Sequence, residues 1–186
     1  MSGRPGSNRR HSAWKADALP TELLPHGAKY IIFFYFVGVK YAIQEVLAKD
    51  TIPIRHQMLR QGLPVSSCHF EKDNDPQSHH WAAFMGYQMV GILSSIENEC
   101  DEFLGQHAYQ FRGMAVLEAF QHQGIASRLL VEAEEQLQKK YQPDLFWLNA
   151  RVHAQKLYQI LGYSRVGKEF NIPTAGPHIR FYKCNS

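Results

Sequence analysis

One stretch of this chain constrains its architecture more than any other: a strand, a short loop and a long helix in immediate succession. Residues 108–116 (AYQFRGMAV) are rich in aromatic, β-branched and small side chains. Their alternation predicts Tyr109, Phe111, Gly113 and Ala115 on one face, with Gln110, Arg112, Met114 and Val116 on the other. Beyond a short loop, Ile125, Leu129, Ala133 and Leu137 recur at every fourth residue with Leu130 beside them, which predicts a helix with one apolar stripe. Lys139 and Lys140 near its end suit the negative pole of the helix dipole. The free N–H groups at the start of such a helix form an anion site. Gly124 lets the backbone come close to a phosphate there, and Ala126 is too small to block it. No lysine follows in Walker-A fashion and no Gly-x-Gly-x-x-Gly is present, so a nucleoside triphosphate or dinucleotide site is unsupported.

Around this unit the pattern predicts a strand at residues 41–46 and a short helix over 51–60 (TIPIRHQMLR), with Thr51 as its N-cap and Pro53 in its first turn. A polar loop at 71–76 (EKDNDP) follows. Residues 80–85 and 88–96 read as a hairpin across Gly86-Tyr87. After the long helix come a short buried strand at 145–148 and a second amphipathic helix carrying Ala154, Leu157, Tyr158 and Leu161, stopped by Gly162. Strands near 163–170 and 179–183 close the chain. The order describes an α/β (α+β) sandwich with a mixed sheet, not a doubly wound nucleotide fold. Residues 1–39 are expected to form a tail outside the fold, with 40–186 as the domain. Within that tail, 30–39 (YIIFFYFVGV) reads as a strand or as a segment that packs poorly.

Bulk properties exclude more than they identify. The formal charge of +3, from 20 basic and 17 acidic side chains, is too small to argue for nucleic acid. The most apolar run is too short to cross a bilayer as a helix and lacks a secretory cleavage site. Three scattered cysteines, Cys68, Cys100 and Cys184, do not suggest a disulfide framework, which fits a cytoplasmic setting. Ten histidines show no metal-ligand spacing with cysteine, so no metal is expected. Most of them, His79 and His80 included, are expected on surfaces and turns, and the acidic loop at 71–75 is expected to be solvated.

The pattern [Gln/Arg]-x-x-Gly-x-[Gly/Ala], here Gln121, Gly124 and Ala126, resembles the pyrophosphate loop of the GNAT acetyltransferase superfamily. The ordered set extends that likeness over roughly residues 40–183. Gly113 to Val116 resembles the family's splayed strand, Leu148-Asn149-Ala150 its next strand, and Leu157-Tyr158 with Gly162-Tyr163 the helix and turn after it. The likeness is closest to small bacterial GNAT proteins ending, like this chain, in Ile-Pro-x-x-Gly-Pro-His, here Ile172 to His178. It implies a strongly twisted mixed sheet flanked by helices, with acetyl-CoA as acyl donor in a cleft between splayed strands. It further implies acetyl transfer to a primary amine of a small molecule or peptide, without nucleic acid or membrane, and leaves a homodimer open.

Roles carried over from the resemblance place Met114, Ala115 and Val116 along the pantetheine. Gln121, His122, Gln123, Gly124, Ile125, Ala126 and Ser127 fall around the pyrophosphate, and Asn149 near the thioester. Tyr158 falls where the family places a general acid; its spacing alone also fits a half-buried aromatic on a helix stripe. Many relatives carry a glutamate base on the strand before the loop, but this strand offers Gln110 and Arg112, and a glutamine cannot take a proton. His178 is the replacement candidate, since histidine titrates near neutrality (about 6.5 unperturbed); it serves equally well as a cap of the Gly176-Pro177 turn. Arg112 could bind a carboxylate on the acceptor or pair with a nearby acid such as Glu118. A non-catalytic CoA-binding module of the same fold is the competing reading.

Overall fold

The computed structural model describes residues 32–36, 39–173 and 175–185. Among the described residues, eight strands form one sheet in the order β1-β2-β3-β4-β5-β6-β8-β7. They are β1 (Ile32–Phe36), β2 (Val39–Val46), β3 (His79–Met85), β4 (Gln88–Glu97), β5 (Ala108–Val116), β6 (Leu145–Arg151), β7 (Ser164–Ile172) and β8 (Gly176–Cys184). Every neighbouring pair is antiparallel except β5 with β6, which run parallel. The strand expected within residues 30–39 is β1, and it pairs along its length with β2, so the last part of the expected tail joins the sheet. Residues 1–31 lie outside the described residues. No helix among the described residues is long and apolar enough to cross a membrane.

Helix α2 (Ile125–Tyr141) lays its predicted stripe on one face of the sheet. Ile125, Leu129, Leu130, Ala133 and Leu137 are buried there against Trp81, Leu93, Tyr109, Phe111 and Phe146. Helix α3 (Gln155–Ile160) is shorter than the pattern suggested, because residues 152–154 form a separate 3-10 turn ahead of it. Helix α1 (Ala48–Leu59) covers the opposite face, where the apolar cluster is small: Ile54, Ala82, Ile92 and Ala115.

Two local expectations are corrected. Helix α1 starts three residues before the predicted N-cap. Asp50 accepts the Leu47 N–H at 3.0 Å, while Thr51 lies inside the helix with its hydroxyl donating to the Ala48 carbonyl at 2.7 Å. Thr51 therefore satisfies a local carbonyl instead of capping, and Pro53 sits in the helix interior.

The second correction concerns β5. Ser94 faces Arg112, but Ile92 faces Ala115, so β5 carries one more residue than β4 across that interval. This is a β-bulge, and Gly113 adopts φ +61 within it, a conformation that a Cβ strains. The extra residue swaps the faces. Tyr109 and Phe111 face α2 as predicted, yet beyond the bulge Met114 and Val116 face α2 and Ala115 faces α1.

Candidate active site

The parallel ladder between β5 and β6 is short. It runs from Ala108 opposite Leu145 to Phe111 opposite Leu148 and stops there. Past that point β5 still follows β4, and β6 still follows β8, so the two strands separate. Their facing main-chain groups lose partners just where a cavity of about 930 Å³ opens. Met114, Ala115 and Val116 line one side of it and Asn149 the other. The bulge at Gly113 turns the strand as the ladder ends, which is what such irregularities do beside sites.

The loop before α2 forms the mouth. Gln121, His122, Gly124, Ile125, Ala126 and Ser127 line the cavity, whereas Gln123 does not and instead reaches back to the Ala119 carbonyl. The Gln121 side chain donates to the Val116 carbonyl at 3.0 Å and so ties the loop to the end of the splayed strand. Gly124 is the N-cap at φ +78, with nothing within 4 Å of where a Cβ would stand. Its requirement for glycine is thus conformational and not steric. The first i to i−4 bond closes from the Arg128 amide to the Gly124 carbonyl, and no side chain caps the helix. The amides of its first turn therefore point to the cavity mouth without helical partners, as an anion site needs.

Tyr158 and His178 both border the same cavity. Tyr158 is 8% exposed, packed against Tyr163 and Phe181. Burial pushes its hydroxyl well above the usual tyrosine range, so it stays protonated at neutral pH. His178 is buried, and Nδ1 lies 2.8 Å from the Gly176 carbonyl. A carbonyl only accepts, so this contact selects the tautomer of the neutral ring that has its proton on Nδ1 and its lone pair on Nε2. The turn contact and an available base nitrogen coexist on one ring. Asn149 accepts from Arg180 Nε at 3.2 Å, which leaves its amide NH2 as the group offered to the cavity.

The corner under α1 holds what the sequence reading missed. Arg55, fully buried, donates to the Cys68 carbonyl at 2.9 Å, to both oxygens of Asp73 and to Ser94 Oγ at 2.9 Å. His80 continues the chain: Nδ1 lies 2.8 Å from Ser94 Oγ, and Nε2 lies 2.8 Å from the Asp73 carbonyl. His79, His80 and Asp73 were expected on the surface and are instead buried at 7%, 4% and 7% exposure. His79 sits between Glu45 and Tyr141, with Nε2 2.9 Å from the Tyr141 hydroxyl. Burial lowers the His80 pKa. For Asp73, burial raises and hydrogen bonds from Arg55 and the Phe70 amide lower, and the bonds prevail. Arg112 turns to this corner too, donating to the Glu71 carbonyl and lying 3.5 Å from Asp73, not paired with Glu118. Residue spacing carried no signal for this network, whose members come from one helix, one loop and three strands. Among the described residues no cluster of His, Cys, Asp and Glu is arranged to hold a metal.

A sheet split beside its parallel pair, with a helix start at the mouth of the split, can receive an extended ligand that ends in an anionic group. Residues 64–173 match the acetyltransferase (GNAT) domain family, and the chain belongs to it. It is 32% identical over 141 residues to the uncharacterized N-acetyltransferase YitI of Bacillus subtilis, covering 76% of this chain and 94% of that one. Among solved structures, Escherichia coli ElaA superposes with a TM-score of 0.62 at 16% identity, covering 76% of this chain and 98% of its own. An aminoglycoside 6'-N-acetyltransferase complexed with coenzyme A superposes with a TM-score of 0.57 at 15% identity, covering 74% and 89%. These likenesses establish the fold; the sequence matches establish the family.

Proposed function

We propose that this acetyltransferase moves an acetyl group from acetyl-CoA to a primary amine by direct attack. The observation that carries this reading is the convergence on one cavity of the splayed β5 edge, the uncapped start of α2, Tyr158 and His178. The cavity suits the donor, since an extended arm can pair with the unladdered main chain of Met114 to Val116 while phosphates meet the amides of the Gln121–Ser127 loop. When bound, acetyl-CoA supplies the thioester that the amine attacks.

The protein's own contributions are position and proton transfer. The strand and loop hold the reactants at one depth, which removes much of the entropic barrier. A β5 amide facing the split donates to the carbonyl oxygen as charge develops there. His178 Nε2 takes the proton that the amine nitrogen loses as the C–N bond forms. Tyr158 gives its proton to the sulfur as the C–S bond breaks. Asn149, steadied by Arg180, offers its NH2 between them. The ending Ile172 to His178 supports the kinship with small bacterial members, and we place the protein in the cytoplasm.

Thermal shift with acetyl-CoA, followed by thiol release in the presence of pooled amines, tests the reading. Acetyl-CoA is expected to raise the melting temperature of the wild-type chain. Gly124→Asp, which sets a carboxylate against the phosphates, is expected to abolish that rise. An undiminished shift in Gly124→Asp would move the donor site elsewhere.

A further inference from the structure

The α1 corner of the cavity is overloaded with positive charge. Arg55, Arg60 and Arg112 surround the Phe70 ring, their guanidinium carbons 4.2, 5.3 and 5.4 Å from its centroid. Asp73 engages Arg55 with both its oxygens and Arg112 more loosely at 3.5 Å, so one carboxylate serves two guanidiniums. Arg60 spends a donor on the carbonyl of its neighbour Leu59. Glu71 is the one carboxylate on the cavity wall, against Arg60, Arg112 and Arg151 among the described residues.

Arg112 is the arginine best set to receive a ligand. Its Nη2 is held by the Glu71 carbonyl and Asp73, and among the described residues neither its buried Nε nor its Nη1 has a hydrogen-bond partner. Burial lowers its proton affinity more than Asp73 restores it, the direction expected of a cation short of counter-charge. The bulge fixes its aim. Arg112 and Gly113 fall consecutively on the α1 side, and a Cβ at Gly113 would stand 3.0 Å from Phe70, so a side chain there would crowd the ring that the guanidiniums surround. Beneath them, the Arg55–Ser94–His80 chain locks the loop that carries Phe70, Glu71 and Asp73.

Resting on the acetyl-transfer reading above, we propose that the acceptor is a primary amine that also bears a carboxylate, and that Arg112, with Arg60 beside it, binds that carboxylate. The planar fork of a guanidinium matches a carboxylate in two bonds. A single negative charge suits the corner better than a dianion, because Glu71 stands on the same rim.

The test compares matched amines, amino acids against their carboxamides. Two readouts are taken: binding to the CoA-loaded protein by calorimetry, and thiol release from acetyl-CoA. The wild type is expected to prefer the carboxylate about tenfold or more in binding, the range of a charge-assisted pair. Arg112→Met is expected to bring that ratio near one, and Arg112→Lys, which keeps charge but not the fork, to leave an intermediate ratio. Equal binding of acid and amide by the wild type, or a preference that survives Arg112→Met, would overturn the proposal. A binding preference without thiol release from any amine would instead sink the acetyl-transfer reading and leave the carboxylate site standing.

Discussion

The two faces of the sheet are covered by opposite chemistry. On one, α2 presses a regular apolar stripe onto strands that answer it with Trp81, Leu93, Tyr109 and Phe146. On the other, α1 brings a small apolar cluster and a buried guanidinium whose bonds reach one strand, through Ser94, and the segment that carries Cys68 and Asp73. Burial of apolar surface tolerates small misalignments, because it is non-directional. A buried charge tolerates almost none, because each donor must find its acceptor. The α2 side is therefore a steady platform and the α1 side a set of fixed directional groups, the division that the proposed donor and acceptor sites would use.

The largest effect should come from breaking the charged side. Arg55→Ala leaves Asp73 buried without its partner and is expected to cost about 3–5 kcal/mol in denaturant unfolding. Leu129→Ala, on the apolar side, should cost a similar amount, about 3 kcal/mol or more, by a different route, the cavity it leaves. A loss below about 1 kcal/mol for Arg55→Ala would mean that packing, not the network, holds the α1 face.

Next in size is Tyr158→Phe, within the α2-side core. Removing only the hydroxyl should leave packing and acetyl-CoA binding nearly intact and lower kcat about 10²-fold, some 2.7 kcal/mol of barrier. Steady-state kinetics on a responsive amine decides it, and an unchanged kcat would make Tyr158 a packing residue.

The charged side should also be the acid-sensitive one. The depressed His80 pKa means that the unfolded chain binds a proton below about 6.5 that the folded chain refuses, so stability falls as pH drops from there, by at most about 1.4 kcal/mol per pH unit. The depressed Asp73 pKa acts lower: its contribution is complete above about 3.9 and is lost as pH falls through the folded value. His80→Gln can keep a donor for the Asp73 carbonyl without titrating. Its unfolding free energy should vary less than wild type between pH 7 and 5, the range of His80 alone of these two groups.

The smallest effect is expected at the head of α2. Gly124→Ala meets no neighbour, so only its φ of +78 opposes it, at about 1 kcal/mol. A loss several times larger would show that the loop is packed more tightly than its open surroundings indicate.

These differences track what could be read from residues alone. The stripe from Ile125 to Leu137 and the strand at 108–116 were legible because each element buries one periodic face, and periodicity survives in sequence. The mouth of the site was legible through Gly124, since a left-handed N-cap leaves a glycine behind. Arg55, Asp73 and His80 were not, because their bonds to one another, to Cys68 and to Ser94 span 7 to 39 residues and nothing local marks them as buried. His79 looked like polar punctuation before a hairpin but begins the strand itself, and His80, read as the strand's first residue, is buried where a surface position was expected. The swap of faces beyond Gly113 escaped for a related reason: alternation assumes an unbroken count, and the extra residue shows only against the partner strand.

That extra residue makes β5 behave like a message read in two frames. Up to Arg112 the odd positions speak to α2; from Met114 the even ones do. Substitution within either frame changes one word, whereas unbroken alternation imposed on the same nine residues would run one frame throughout. Val116 would then turn from Ile125 and Leu129 towards Ile54, and every position after it would exchange partners with its neighbour. Variation in this strand should therefore be narrowest at Gly113, whose φ of +61 keeps the two frames apart at the place where the cleft opens.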